Sequence, residues 1–228
     1  MLDSGFDLIH LDPWNRSNFF DAAEMTNRWM APSVYYEVGT EEAIYPSDAD
    51  ELDDFLWKLD KNLIIYAVVQ SGAKLQNGAN VGSYDETKLK ETIEVCKSHG
   101  LLSKEHNGDY LDNEVIKRKF ELGLDAINIA PEFGTIESNV IWSALNDEGK
   151  DKFYRLCLSS LAWRKWVAYD FNFSNRRALV GICGHYVFNT IDFQRDIKAK
   201  LVGIDIEIQK VIKRRLTDVY KIINEVEK

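Results

Sequence analysis

Leu101-Leu102-Ser103-Lys104-Glu105-His106-Asn107-Gly108-Asp109-Tyr110 is a short apolar run that breaks abruptly into Glu, His, Asn and Asp, and a helix-like pattern follows it. An α/β protein places metal ligands and general bases in this way, at the carboxyl end of a buried parallel strand. The same shape recurs. Ile9-His10-Leu11-Asp12, Tyr36-Glu37-Val38-Gly39-Thr40-Glu41, Val68-Val69-Gln70-Ser71-Gly72 and Ile127-Asn128-Ile129-Ala130-Pro131 are each apolar segments ending in polar or turn residues.

Working outward, strands are expected at Phe6–Asp12, Val34–Val38, Asn62–Gln70, Leu101–Glu105 and Ala126–Ala130. Helices are expected at Asn18–Met30, from a capping box at Asp48 and Glu51 to about Leu59, from Asp85 to a stop at Gly100, at Asp112–Leu122, and from Thr135 onward. Gly72 to Gly82 reads as a polar loop, and no antiparallel hairpin is expected. Strict alternation of strand and helix predicts a parallel sheet with right-handed crossovers. No G-x-G-x-x-G follows a strand, which counts against a dinucleotide-binding unit. Polar residues repeated at the strand ends favour a barrel, where several loops converge on one mouth. The expected fold is therefore α/β, a partial TIM (β/α) barrel of about five parallel strands over residues 1–150. A C-terminal helical appendage is expected over residues 151–228. Within it, Phe153–Val167 reads as helix, Asp170–Gly184 as an irregular connector, and Ile204, Ile208, Val211, Ile212, Val219, Ile222, Ile223 and Val226 as one face of a long terminal helix. The basic run Lys210, Lys213, Arg214 and Arg215 reads as a solvated face of that helix.

The bulk numbers exclude some classes. A formal charge of −9 argues against a nucleic-acid surface, which needs a cationic field. No apolar run reaches the roughly 18 residues that span a bilayer. Cys96, Cys157 and Cys183 are odd in number, widely spaced and without a C-x-x-C pair, so a reduced, cytoplasmic setting is expected.

Alternate residues of a strand share a face, so His10 pairs with Asp12, and Glu37 with Gly39 and Glu41. Glu105 and His106 have opposite parity, and only one of them can point inward from a regular strand. The expected site is a divalent-metal or acid/base centre drawn from His10, Asp12, Glu37, Glu105 and His106. Imidazole with carboxylate suits Zn²⁺ or a harder ion that polarises a substrate carbonyl. Gln70, Asn107, Gly108 and Asn128, at the ends of their strands, are the expected substrate-binding residues. A phosphate pocket is expected where Asn107-Gly108 and Pro131-Glu132-Phe133-Gly134 precede a helix N-terminus, with Glu132 opposing it. His99, beside Gly100, complements a helix C-terminus and takes no catalytic role.

At these residues the chain resembles the accessory-subunit family of class II D-tagatose-1,6-bisphosphate aldolase. Tyr35–Glu41 (YYEVGTE), Val68–Leu75 (VVQSGAKL), Ser103–Tyr110 (SKEHNGDY) and Asp125–Gly134 (DAINIAPEFG) fall in the family's order and rough spacing. Ile9–Asp12 (IHLD) fits the preceding strand, and His185-Tyr186 through Arg195 resembles the family's tail. The resemblance implies a class II aldolase-like barrel and an accessory, non-catalytic role in carbohydrate metabolism. It implies a sugar phosphate as ligand, and a homo-oligomer or a hetero-oligomer with a catalytic aldolase subunit. Family members carry further strands ahead of the point where this chain starts, so a shortened barrel is expected. The alternative is a metal-dependent aldolase acting on a ketose phosphate in its own right. Glu37 or Glu105 would then move the proton, and His10 and His106 would hold the ion.

Overall fold

The computed structural model describes residues 5–13, 19–39 and 48–226. Thr40 and Glu41, at the end of the second expected strand, lie outside the described residues. The chain divides into two compact units. One comprises Met1–Lys74, Gly82–Gly108 and Lys117–Asn128; the other comprises Leu75–Val81, Asp109–Ile116 and Ile129–Lys228. The sheet-bearing unit ends at Asn128.

The sheet-bearing unit holds β1 (Leu8–Leu11), β2 (Tyr35–Val38), β3 (Ile64–Val69), β6 (Leu102–Glu105) and β7 (Ala126–Ile127), while β4 (Leu75–Gln76) and β5 (Ala79–Asn80) belong to the other unit. Its five strands are all parallel and stand in the order β1-β2-β3-β6-β7. A doubly wound sheet reverses direction at a switch point. This one runs monotonically, as successive barrel strands do. Helices α1 (Phe19–Trp29), α2 (Ala49–Trp57) and α3 (Glu86–Ser98) follow the first three strands, and α4 (Asn113–Glu121) lies between β6 and β7.

The strand pleat sorts the sheet residues. Tyr36 and Val38 of β2 and Ala67 and Val69 of β3 pack into one apolar core with Leu52, Phe55 and Leu56 of α2 and Leu89, Ile93 and Cys96 of α3. Glu37 and Lys104, of opposite parity, serve the other face. The helix starts follow their caps: Asp48 Oδ1 accepts the Glu51 amide at 2.9 Å, and Asp85 Oδ1 accepts the Lys88 amide at 3.0 Å. His99 ends α3, and its Nε2 lies 2.7 Å from Asp53 Oδ1 of α2, so it ties two helices together as well as capping one.

The second unit is mainly helical. Its helices are α5 (Pro131–Ala144), α6 (Asp147–Ser160), α7 (Arg176–Cys183), α8 (Ile191–Asp196) and α9 (Ile204–Val226). Ile141, Phe153, Cys157, Leu179, Val180, Cys183, Phe193, Ile197 and Ile208 form its core. All three cysteines are buried and unpaired. Among the described residues, no helix is long and apolar enough to cross a membrane.

Several expectations need correction. The polar stretch after Gly72 contains an antiparallel hairpin, β4 with β5, turning at Asn77 and Gly78 with φ of 55° and 76°. Two consecutive positive φ angles are what a tight hairpin turn demands, and Asn-Gly supplies them at little strain. α5 begins at Pro131 rather than Thr135, because proline at the first helical position gives up no needed donor. The helix expected over Phe153–Val167 stops at Ser160, where Leu161 turns left-handed (φ 57°), and a short 3₁₀ turn, Ala162–Lys165, follows. The expected connector at Asp170–Gly184 contains α7, whose Leu179, Val180, Ile182 and Cys183 are buried. Arg215 is not part of a solvated face. Its Nε lies 2.6 Å from Glu132 Oε1, and its other nitrogens reach Asn113 Oδ1 and the Leu111 carbonyl.

Candidate metal centre

Parallel pairing of β1 with β2 sets His10 in register with Glu37. Both side chains stand on the sheet face opposite the α2 and α3 core, and His10 Nδ1 comes within 2.9 Å of Glu37 Oε1. His106, the first residue beyond β6, brings its Nε2 to the same oxygen. The two imidazole rings lie 4.8 Å apart, tilted by 41°. The donor atoms of His10, Glu37 and His106 all fall within 4.8 Å of one another. A fourth group completes the set: Lys104 Nζ pairs with the remaining Glu37 oxygen, Oε2. Sequence reasoning passed over Lys104 because an isolated strand lysine normally reads as a solvent-facing side chain.

Glu37 is 2% exposed, and such burial by itself raises a carboxyl pKa. Hydrogen bonds from His10, His106 and Lys104, with the charge of His106, overcome that and hold the carboxyl well below the usual carboxylate range. The site is therefore an ionised carboxylate flanked by two imidazoles and an ammonium. Two nitrogen donors and one carboxylate oxygen gathered within 4.8 Å could hold a metal ion, and three-ligand sets of this kind leave coordination positions open. Zn²⁺ and similar transition-metal dications fit it.

The other expected residues are not part of this donor set. Glu105 points away from His106, into the helix-covered side of the sheet. Its Oε1 accepts the Ser71 amide at 3.0 Å and the Ser71 hydroxyl, and its Oε2 lies 2.6 Å from Lys119 Nζ of α4. Lys119 also donates to Ser71 Oγ at 2.5 Å and lies 4.3 Å from the centre of the Tyr84 ring. Glu105, Lys119 and Ser71 are each at most 1% exposed. This pocket is a buried ion pair joining the ends of β3 and β6 to α4, and sequence reasoning did not find Lys119 at all. Asp12 is half-buried directly after β1, and Gln70 is half-buried directly after β3. Asn107 takes a left-handed turn (φ 61°). The Gly108 amide then donates to the Asn128 carbonyl at 2.9 Å, while the Asn128 amide donates to the Glu105 carbonyl at 2.9 Å. A Cβ on Gly108 would collide with Ile127, so only glycine fits that approach. Asn128 and Gly108 are thus joined through their backbones.

The α5 N-terminus, expected to receive phosphate, is already filled within the helical unit. Asp109 Oδ1 accepts the Ala130 amide at 2.9 Å and the Glu132 amide at 2.7 Å. Burial holds the Asp109 carboxyl above the usual carboxylate range despite these amide bonds. A phosphate there would have to displace a buried carboxyl group and face Glu132 as well.

No family model and no curated protein matches the sequence. Similar architectures are found among solved structures. A probable tagatose 6-phosphate kinase from Sinorhizobium meliloti 1021 superposes with a TM-score of 0.66 at 16% identity, covering 92% of this chain and 62% of that one. A glycerol-complexed fructuronate-tagaturonate epimerase from Cohnella laeviribosi superposes with a TM-score of 0.69 at 13% identity, covering 90% of this chain and 50% of that one. The chain thus spans between half and two thirds of the length of the structures it matches. At this identity the likeness establishes the fold alone: an α/β chain with a five-stranded parallel sheet and a helical C-terminal part.

Proposed function

We propose that the chain carries a metal-assisted centre for removing a proton next to the carbonyl of a ketose phosphate or a related sugar acid. That step is common to aldol cleavage and to epimerisation. The observation that carries the reading is the convergence of His10 and His106 on a single carboxylate oxygen of Glu37. These three residues would hold a divalent ion. When bound, the ion supplies Lewis acidity at the substrate carbonyl. The chain's own residues do the rest. Lys104 keeps Glu37 ionised and fixed, and Glu105 braces the end of β6 from the opposite face. We assign proton transfer to Asp12, which follows β1 two residues after His10. The likeness to the kinase and epimerase structures agrees with a sugar-derived substrate.

The test is to strip the protein with chelator, restore Zn²⁺ or Co²⁺, and assay ketose phosphates and ketohexuronates for cleavage and for solvent-proton exchange. Turnover that depends on metal and disappears in His106→Ala supports the reading. Exchange that survives both chelator and His106→Ala refutes it.

A second reading is an accessory subunit of a class II tagatose-bisphosphate aldolase. The sequence resemblance supports it, as do exposed apolar side chains on α9, where Ile206, Leu216 and Tyr220 are half or more exposed. Size-exclusion chromatography with a class II aldolase subunit discriminates: co-elution supports association, and independent elution removes it.

A further inference from the structure

Lys104 and His106 rise from the same side of β6 and divide the Glu37 carboxylate between them, Lys104 taking Oε2 and His106 taking Oε1. Because β3 lies between β6 and β2, the Lys104 and Glu37 side chains must together bridge two inter-strand spacings, about 10 Å. The lysine stem passes its register partner Val68 and brings Nζ to 5.5 Å from the centre of the Tyr66 ring. The side chain is 15% exposed, so it is packed along its length rather than free in solvent.

We propose that Lys104 is the metal-selectivity residue of this centre. By holding Oε2 it leaves Glu37 a single oxygen, Oε1, to join the two imidazoles. The inference rests on the metal reading above. A one-oxygen, two-nitrogen set suits transition-metal dications, which favour imidazole and accept low coordination numbers. Ca²⁺ requires six to eight oxygen ligands and commonly takes carboxylates through both oxygens. With Oε2 locked, the centre cannot offer that. The lysine charge beside the carboxylate also opposes ions that bind through charge alone.

The experiment titrates the wild-type chain and its Lys104→Met, Lys104→Gln and Lys104→Arg variants with Co²⁺ and with Ca²⁺ by calorimetry, recording the visible Co²⁺ absorption. The wild type is expected to bind Co²⁺ with the intense band of a low-coordinate ion, to lose it in His106→Ala, and to take no Ca²⁺. In Lys104→Met and Lys104→Gln the preference for Co²⁺ over Ca²⁺ is expected to fall by about tenfold or more. The band should weaken as the second carboxylate oxygen joins. Lys104→Arg should retain both. Unchanged preference and band in the methionine and glutamine variants, with Co²⁺ still bound through His106, overturn the lock alone. If the wild type shows no His106-dependent Co²⁺ binding, the metal reading fails and the selectivity role with it.

Discussion

Glu105 and His106 are adjacent in sequence and serve opposite sides of β6. Glu105 is bonded to Ser71 and Lys119 on the helix-packed side, while His106 is bonded to Glu37 on the opposite face. The strand pleat makes this unavoidable: a one-residue step reverses the side-chain direction. The division gives the two residues different work. His106 presents a donor, and Glu105 anchors the strand that presents it. Glu105, expected among the catalytic groups, is bonded to Ser71 and Lys119 and has no place in the His10–Glu37–His106 donor set.

Breaking the Glu105–Lys119 pair from one side leaves a buried charge uncompensated, and such losses run to about 3–5 kcal/mol. Glu105→Gln and Lys119→Met are each expected to lower the unfolding free energy measured by urea titration by an amount in that range. The double variant Glu105→Met with Lys119→Met should recover most of the loss, since neither charge is then stranded. Additive losses in the double-variant cycle would show that the two side chains are not coupled.

Zinc is expected to stabilise the protein. A ligand that binds only the folded state contributes about 2.7 kcal/mol when present at a hundredfold excess over its dissociation constant. The melting temperature should therefore rise with Zn²⁺, return with chelator, and stay flat in His10→Ala and His106→Ala. Differential scanning fluorimetry is sufficient to read it.

In the helical unit, His185 carries a buried Nδ1 without a hydrogen-bond partner, and burial holds its imidazole below the ordinary value of 6.5. The folded state therefore binds fewer protons than the unfolded chain once the pH falls below that value. The associated stability is fully present above it and declines on further acidification. His185→Gln should flatten the dependence of the urea midpoint between pH 7.5 and pH 5 relative to wild type. Parallel profiles would assign the slope to other groups.

Gly134 faces the same ring. A Cβ there would sit 2.6 Å from His185 Nδ1 and 2.7 Å from its Cγ. Alanine in a helix interior normally gains about 1 kcal/mol over glycine. Overpacking a close contact costs about 1–3 kcal/mol. The contact wins, so Gly134→Ala is expected to lower the melting temperature, and His185→Ala in the same chain to restore it. A Gly134→Ala variant more stable than wild type would show that the ring has room to move.

The strands were legible because their Val- and Ile-rich runs end in polar residues, and the caps at Asp48 and Asp85 were legible because capping is local chemistry. The Asn77-Gly78 hairpin is equally local, but its two-residue strands are too short to stand out in a polar, glycine-rich stretch. α7 was obscured by the Asn and Gly residues around it, although its buried Leu179, Val180, Ile182 and Cys183 carry a helical pattern. At the site, parity alone separated Glu105 from His106, and register between the first two strands made His10 and Glu37 a plausible pair.

The linear order of residues determined the alternation of strands and helices, the parallel sheet, and which side chains on each strand share a face. These follow from the periods of the backbone and the chemistry of neighbouring residues. Tertiary structure alone decided which faces met. It brought Lys104 across β3 to Glu37, 67 residues away, and Lys119 beneath the sheet to Glu105. Both are charge pairings between elements distant in the chain. A lysine in a strand or helix looks the same in sequence whether it faces water or a buried carboxylate, and only packing the elements together distinguishes the two.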